Sequence, residues 1–150
     1  MKAIHLLGLV ILATYGAFSF AADGMTALKS PYSAKETMNR LEEAVKKNKL
    51  IVFARIDHAA GAAEVGKTLR PTELLVFGHP RGGTPFLECA QTAGIDLPLK
   101  ALVWEDASAQ VWIGYNDLGF LAQRHGVTQC SATEKLHQAL ANLTATVIDQ

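Results

Sequence analysis

His58 and His79 each follow an apolar, strand-prone run, and each has a charged companion: Asp57 precedes His58, and Arg81 lies two residues beyond His79. Imidazole nitrogen suits a transition metal such as copper or zinc, and an imidazole beside a carboxylate can relay protons. Arg81, with the backbone N–H groups of Gly82, Gly83 and Thr84, could hold a small anion at a helix start. If the two strands are neighbours, both histidines emerge at one edge of a sheet, where open α/β sheets place ligands. Asp57, His58, His79 and Arg81 are therefore the candidate ligand-binding set, with His58 and His79 as candidate metal ligands. The alternative is two unrelated loop histidines, with Asp57 serving only as a helix cap. Glu88 is the other carboxylate near that proposed edge. His125 falls in the last turn of a short helix, where a cation suits the helix C-terminus. His137 falls on a helix surface.

Other catalytic signals are missing, so no catalytic residue is assigned and no cofactor is identified. There is no G-x-S-x-G elbow, and the glycine turn after His79 lacks the phosphate-loop spacing G-x-x-x-x-G-K-[ST]. Cys89 and Cys130 are the two cysteines, without a C-x-x-C or C-x-x-C-H pattern. In an exported chain such a pair suggests a disulfide, which would staple the last helix to the centre of the domain. Buried thiols, or a cysteine ligand for copper or haem, are the competing readings.

These residues need elements to position them. Residues 1–21 read as a secretory signal peptide: Lys2 opens it, Leu6–Leu12 is its apolar core, and Ser19-Phe20-Ala21 fits cleavage after Ala21. Export predicts a periplasmic or secreted location, with no membrane association after cleavage. Residues 22–150 are one domain's worth of chain. A short strand is expected over Thr26–Ser30. A helix capped by Ser33 follows, its apolar stripe running through Ala34, Met38, Leu41 and Val45. Leu50–Ile56 reads as a buried strand, then Asp57 caps a short helix of small residues ended by Gly66. Glu73–Gly78 is a strand. The next helix is expected to start at Thr84, with Pro85 at its first position and positive φ at Gly82 and Gly83. Leu99–Glu105 and Gln110–Tyr115 flank a turn opened by Asp106, which makes a hairpin. Asn116 or Asp117 caps another short helix. A capping box at Ser131 opens the last one, which carries Leu136, Leu140, Leu143 and Val147.

Three motifs, GHPRGGTP, GIDLPLKALVWED and VWIGYND, occur in the order and near the spacing of the domain of unknown function 302 family, which the chain resembles from about Ser30 to Val127. His79 stands where the family more often has asparagine, and Leu118-Gly119 stands where a proline is common. The resemblance implies an α+β fold with a mixed sheet covered by helices, and a tendency to dimerise. It implies no mechanism. The fold class expected is α+β: a single mixed sheet of four to five strands, including the hairpin in the C-terminal half, with helices packed on it.

Basic and acidic residues balance at 14 each, and Lys2 leaves with the leader. A chain this close to neutral has no electrostatic footprint for nucleic acid. The functional expectation is an exported, homodimeric binding module for a small anion or a transition metal. One alternative is a structural or protein-interaction domain that uses the hairpin face, where Trp104, Trp112 and Tyr115 lie. The other is an enzyme using a histidine–carboxylate acid–base pair.

Overall fold

A computed structural model describes residues 22–149. The expected signal peptide lies outside these residues. The chain runs β1 (Met25–Ser30), α1 (Ala34–Lys47), β2 (Ile51–Asp57), α2 (His58–Glu64), β3 (Thr72–Gly78) and α3 (Pro80–Cys89). A 3-10 turn over Gln91–Ile95 follows, then β4 (Leu99–Glu105), β5 (Val111–Asn116), α4 (Leu118–Arg124) and α5 (Ala132–Ile148).

The strands form one five-stranded sheet in the order β1-β5-β4-β3-β2. The α+β class and the hairpin are as expected, but every pairing is antiparallel where a mixed sheet was expected. The connections explain this. The β2–β3, β3–β4 and β4–β5 links each bring the chain back beside the strand it has just left. The helical crossover through α1 carries it from one sheet edge to the other, so it makes no parallel neighbours.

Alternation along the strands separates two faces. Leu75, Phe77, Val103, Ile113 and Tyr115 point to one face and are buried. Helix α1 lies across β2, β3, β4 and β5 on that face, and α5 packs against α1 and β1. Met38, Leu41 and Val45 of α1 are fully buried there. Removing each such side chain from water stabilises the fold by about 1.5–3 kcal/mol. Ser33 caps α1 by accepting from the Glu36 N–H at 3.2 Å. The buried hydroxyls of Ser30 and Thr37 satisfy each other at 2.6 Å, which ties β1 to α1.

Two helix starts differ from expectation. Helix α3 begins at Pro80, not after Thr84, because the His79 ring accepts from the Arg81 N–H at 3.1 Å and serves as the cap. Gly82 and Gly83 are therefore helical: the Gly82 and Gly83 N–H groups both donate to the His79 carbonyl. Pro85 falls inside the helix instead of opening it. At α5, Ser131 precedes the helix but its side chain makes no capping bond, since its own backbone is already in the helical region.

Candidate functional site

The four residues expected to share a site do not meet. Strands β2 and β3 are neighbours, as the expectation required, but they run antiparallel: Asp57 lies opposite Glu73 and Ile51 opposite Gly78. Asp57 and His58 therefore leave one end of the sheet, while His79 and Arg81 leave the other, roughly 20 Å of strand away. Asp57 accepts from the Ala60 N–H at 2.9 Å and caps α2. His79 spends its Nδ1 as the cap of α3. Glu88 lies in α3, the helix that His79 caps. Among the described residues, no group of three or more His, Cys, Asp or Glu side chains gathers to hold a metal ion. The shared anion or metal site is thus corrected, and the cause is strand direction.

Asp57 does line an open cleft of about 580 Å³ at its own end of the sheet. The first turn of α1 forms one wall with Ala34 and Lys35, and Leu69 and Pro71 form another. Glu73 and Glu105 add carboxylates from β3 and β4. Arg55 crosses the floor, bonding Glu73 at 2.6 Å, Glu42 at 3.1 Å and Asn39 at 2.9 Å. The Glu73 hydrogen bond holds the Arg55 guanidinium pKa above its ordinary value. This guanidinium is already neutralised by two carboxylates and does not offer itself to a small anion.

A second polar constellation lies where the 3-10 turn meets the end of α4. Asp96 accepts from His125 Nε2 at 2.7 Å and from Arg124 Nη1 at 3.1 Å. The other ring nitrogen, His125 Nδ1, lies 3.0 Å from the Thr92 hydroxyl. The Asp96 backbone carbonyl accepts from Lys100 Nζ at 2.7 Å, and burial holds the Lys100 pKa below its ordinary value, with Asp96 pulling the other way. Sequence alone presents His125 as a cation at a helix end, with no link to Asp96. They are 29 residues apart, so no local spacing joins them.

Cys89 at the end of α3 and Cys130 just before α5 bring their sulfurs to disulfide distance, with Cα atoms 6.0 Å apart. The pairing read from cysteine count and export matches this placement.

The sheet face opposite α1 is largely apolar, with Thr72 and Lys100 as its polar positions on β3 and β4. Register puts Leu74, Val76, Leu102, Trp104 and Trp112 on it, and Ile56 extends it onto the edge strand β2. A β-bulge between Val52 and Ala54 adds Phe53, which reaches to 4.0 Å from the space above Gly78. Ile51, Phe53 and Ile56 are 44, 53 and 42% exposed. Trp104 and Trp112 stack with ring centres 6.2 Å apart, and Trp104 lies over Gly114, where a Cβ would come within 3.0 Å of its ring. Lys29 covers the Trp112 ring at 5.4 Å. Asp106 fixes the hairpin: it accepts from Trp112 Nε1 at 2.7 Å and, through its other oxygen, from Ser108 and Gln110. The Ser108 hydroxyl, then the Trp112 indole, drive the Asp106 carboxyl well below the usual carboxylate range. Tyr115 was grouped with the tryptophans, but it points to the helix side and is buried in the core.

A single antiparallel sheet with helices on one face, a largely apolar opposite face and no assembled metal cage among its described residues defines a small two-layer α+β domain. The chain belongs to the family described as Domain of unknown function DUF302, which matches residues 26–143. It is similar in fold to the crystal structure of an uncharacterized conserved protein DUF302 from Bacillus stearothermophilus. That likeness has a TM-score of 0.67 at 21% identity and covers 85% of this chain and 98% of the other. Curated relatives include a protein named fluoride-specific ion channel FluC 1 from Brucella suis biovar 1 (strain 1330), 44% identical over 109 residues, or 73% of this chain and 43% of the relative. Fluoride-specific ion channel FluC 1 from Brucella abortus biovar 1 (strain 9-941) is also 44% identical over 109 residues, with 40% of its length matched. The chain spans less than half the length of these relatives. Among the described residues, no helix is long and apolar enough to cross a membrane.

Proposed function

We propose that this chain is an exported protein-interaction domain that pairs, face to face, with a second copy of itself through its open sheet face. The observation that carries this reading is the apolar row of half-buried Leu74, Val76, Leu102 and Trp104 beside buried Trp112, continued by exposed Ile56 and Phe53 on β2. An antiparallel sheet with one solvated face ordinarily alternates apolar-in with polar-out. Here most outward positions of β3, β4 and β5 are apolar as well, Thr72 and Lys100 being the polar ones on β3 and β4, and exposed patches of this kind mark interaction surfaces. Size favours a second copy. Five strands at about 4.8 Å spacing and six to seven residues in length present roughly 500 Å² in projection, before pleating and side chains add to it. Two such faces in contact come near the lower limit of specific interfaces, about 1,200 Å² in total. Sheets of this twist stack about 10 Å apart with interdigitated side chains.

This reading takes the hairpin face in preference to a small anion or metal, because the residues proposed for those ligands are divided between two ends of the sheet. Export rests on the leader read in residues 1–21. The test is native mass spectrometry with sedimentation on the mature protein and on a Phe53→Lys/Ile56→Lys variant. Both side chains are exposed, so the substitutions leave the core intact. The expected result is a dimer for the parent and a monomer with the same circular dichroism for the variant. A monomeric parent, or a variant that remains dimeric, would overturn the proposal.

The Brucella relatives support a second reading, in which the domain works beside a membrane ion channel. Their name is that of a fluoride channel, and the matched segment is less than half of each chain. Deletion of this chain from its host is then expected to lower tolerance of fluoride in the growth medium. Unchanged tolerance would sink this second reading and leave the first untouched.

A further inference from the structure

We propose that Thr92 is a nucleophilic hydroxyl, activated by His125 and Asp96, that accepts an acyl group from an activated ester. Three groups stand in series: Thr92 Oγ1 lies 3.0 Å from His125 Nδ1, and His125 Nε2 lies 2.7 Å from Asp96 Oδ2. The direction of the hydrogens follows from chemistry. A carboxylate only accepts, so Nε2 carries the ring hydrogen; in neutral imidazole Nδ1 then holds the lone pair, and the Thr92 hydroxyl is the donor. That is the arrangement of a nucleophile, a general base and a group that orients the base. Arg124 on the other oxygen of Asp96 fixes the carboxylate, and Lys100 holds its backbone carbonyl.

Burial grades along the series in the sense that reactivity needs. The His125 and Asp96 side chains are 6 and 10% exposed, whereas Thr92 lies on the surface. The base and its partner are thus held in a low-dielectric setting, and the hydroxyl meets an acyl donor without a pocket to enter. In the step inferred, Thr92 Oγ1 attacks the ester carbonyl and forms a C–O bond. Its proton passes to His125 Nδ1, and the donor's C–O bond breaks as the alkoxide or aryloxide leaves. The product is an ester of Thr92, with no redox change. His125 is the catalytic base in this step, and Asp96 acts through it as a positioning residue.

The test uses p-nitrophenyl acetate as donor and peptide mapping by mass spectrometry as readout. The Thr92 peptide of the native protein is expected to gain one acetyl group. Thr92→Ser should keep the reaction and Thr92→Val should abolish it at this peptide. His125→Gln should slow it about a hundredfold, the lower end of what general-base catalysis contributes. Because His125 is buried, Asp96→Asn provides a second variant. Its amide can donate to Nε2, which moves the ring hydrogen to Nδ1 and removes the base. Asp96→Asn should slow Thr92 labelling as His125→Gln does, and the double variant should be no slower than His125→Gln alone, because Asp96 acts only through the ring. A purely structural hydrogen bond would not produce that non-additive pattern. An unmodified Thr92 peptide in native protein whose lysines have been acetylated would overturn the proposal. So would equal Thr92 labelling rates in native protein and in a folded His125→Gln or Asp96→Asn variant.

Discussion

Asp106 shows how much one side chain can organise. It sits half-buried in the hairpin turn and accepts hydrogen bonds from the Ser108 hydroxyl and backbone, the Gln110 backbone and the Trp112 indole. All of these favour the ionised form, so its folded pKa lies below the unfolded value of about 3.9. A depressed carboxylate contributes stability that is fully present above the unfolded pKa and is lost as pH falls through the folded one. Asp106→Asn is therefore expected to lower the melting temperature at neutral pH. The gap to the parent protein should persist down to about pH 4 and close in stronger acid. Melting curves at a series of pH values check this, and a gap that does not change with pH would refute it. At the same scale, the sequence was legible where a residue acts on its own neighbours. Asp57 was read as a cap and is one. His79 was not, because imidazole is outside the usual set of capping side chains, Asn, Asp, Ser and Thr. Missing that cap moved the expected start of α3 to Thr84 and left the glycines in a turn that does not exist.

Among elements, the helices were the most legible. The stripe Ala34, Met38, Leu41 and Val45 repeats at helical spacing and is buried as expected, since periodicity is a local property that packing only has to accept. Strand partners were not legible, because pairing direction depends on how connections fold back, and nothing in LLVF or IVFARI states a neighbour. The disulfide links two elements that share little sequence context, α3 and α5. Cys89 and Cys130 are 41 residues apart, and closing a loop of that size restricts the unfolded chain by roughly 4 kcal/mol on the entropic account. Cys130 is largely buried beside the start of α5, which packs on α1, α3 and α4. A Cys89→Ser/Cys130→Ser variant is expected to unfold at lower denaturant concentration, by an amount equivalent to about 2–4 kcal/mol, and to expose the first turns of α5 to amide exchange before the sheet. Uniform loss of protection across sheet and helices would show that the link holds the whole domain and not this contact.

For the molecule as a whole, the two faces of the sheet set the problem. One face is closed by α1, with Phe77, Leu75 and Ile113 fully buried beneath it. The other carries stacked tryptophans and a row of aliphatic side chains that reach the edge strand. The class of fold was legible because alternating strands and amphipathic stripes demand a sheet with helices on it. The site was not, because a pocket shared by Asp57 and His79 requires two strands to end at the same side. If the open face is completed by a second copy, folding and association are coupled, and anything that binds only the folded state raises the melting temperature by mass action. The melting temperature should then climb as protein concentration is raised, since the folded dimer is favoured over two unfolded chains. Phe53→Lys/Ile56→Lys puts charge into the paired face and removes apolar contact from both partners. That variant should melt at one temperature across the same concentration series, and below the parent at the highest concentration. A parent protein whose melting temperature ignores concentration would mean that the tryptophan face is stable in water as it stands, and the case for self-pairing would end there.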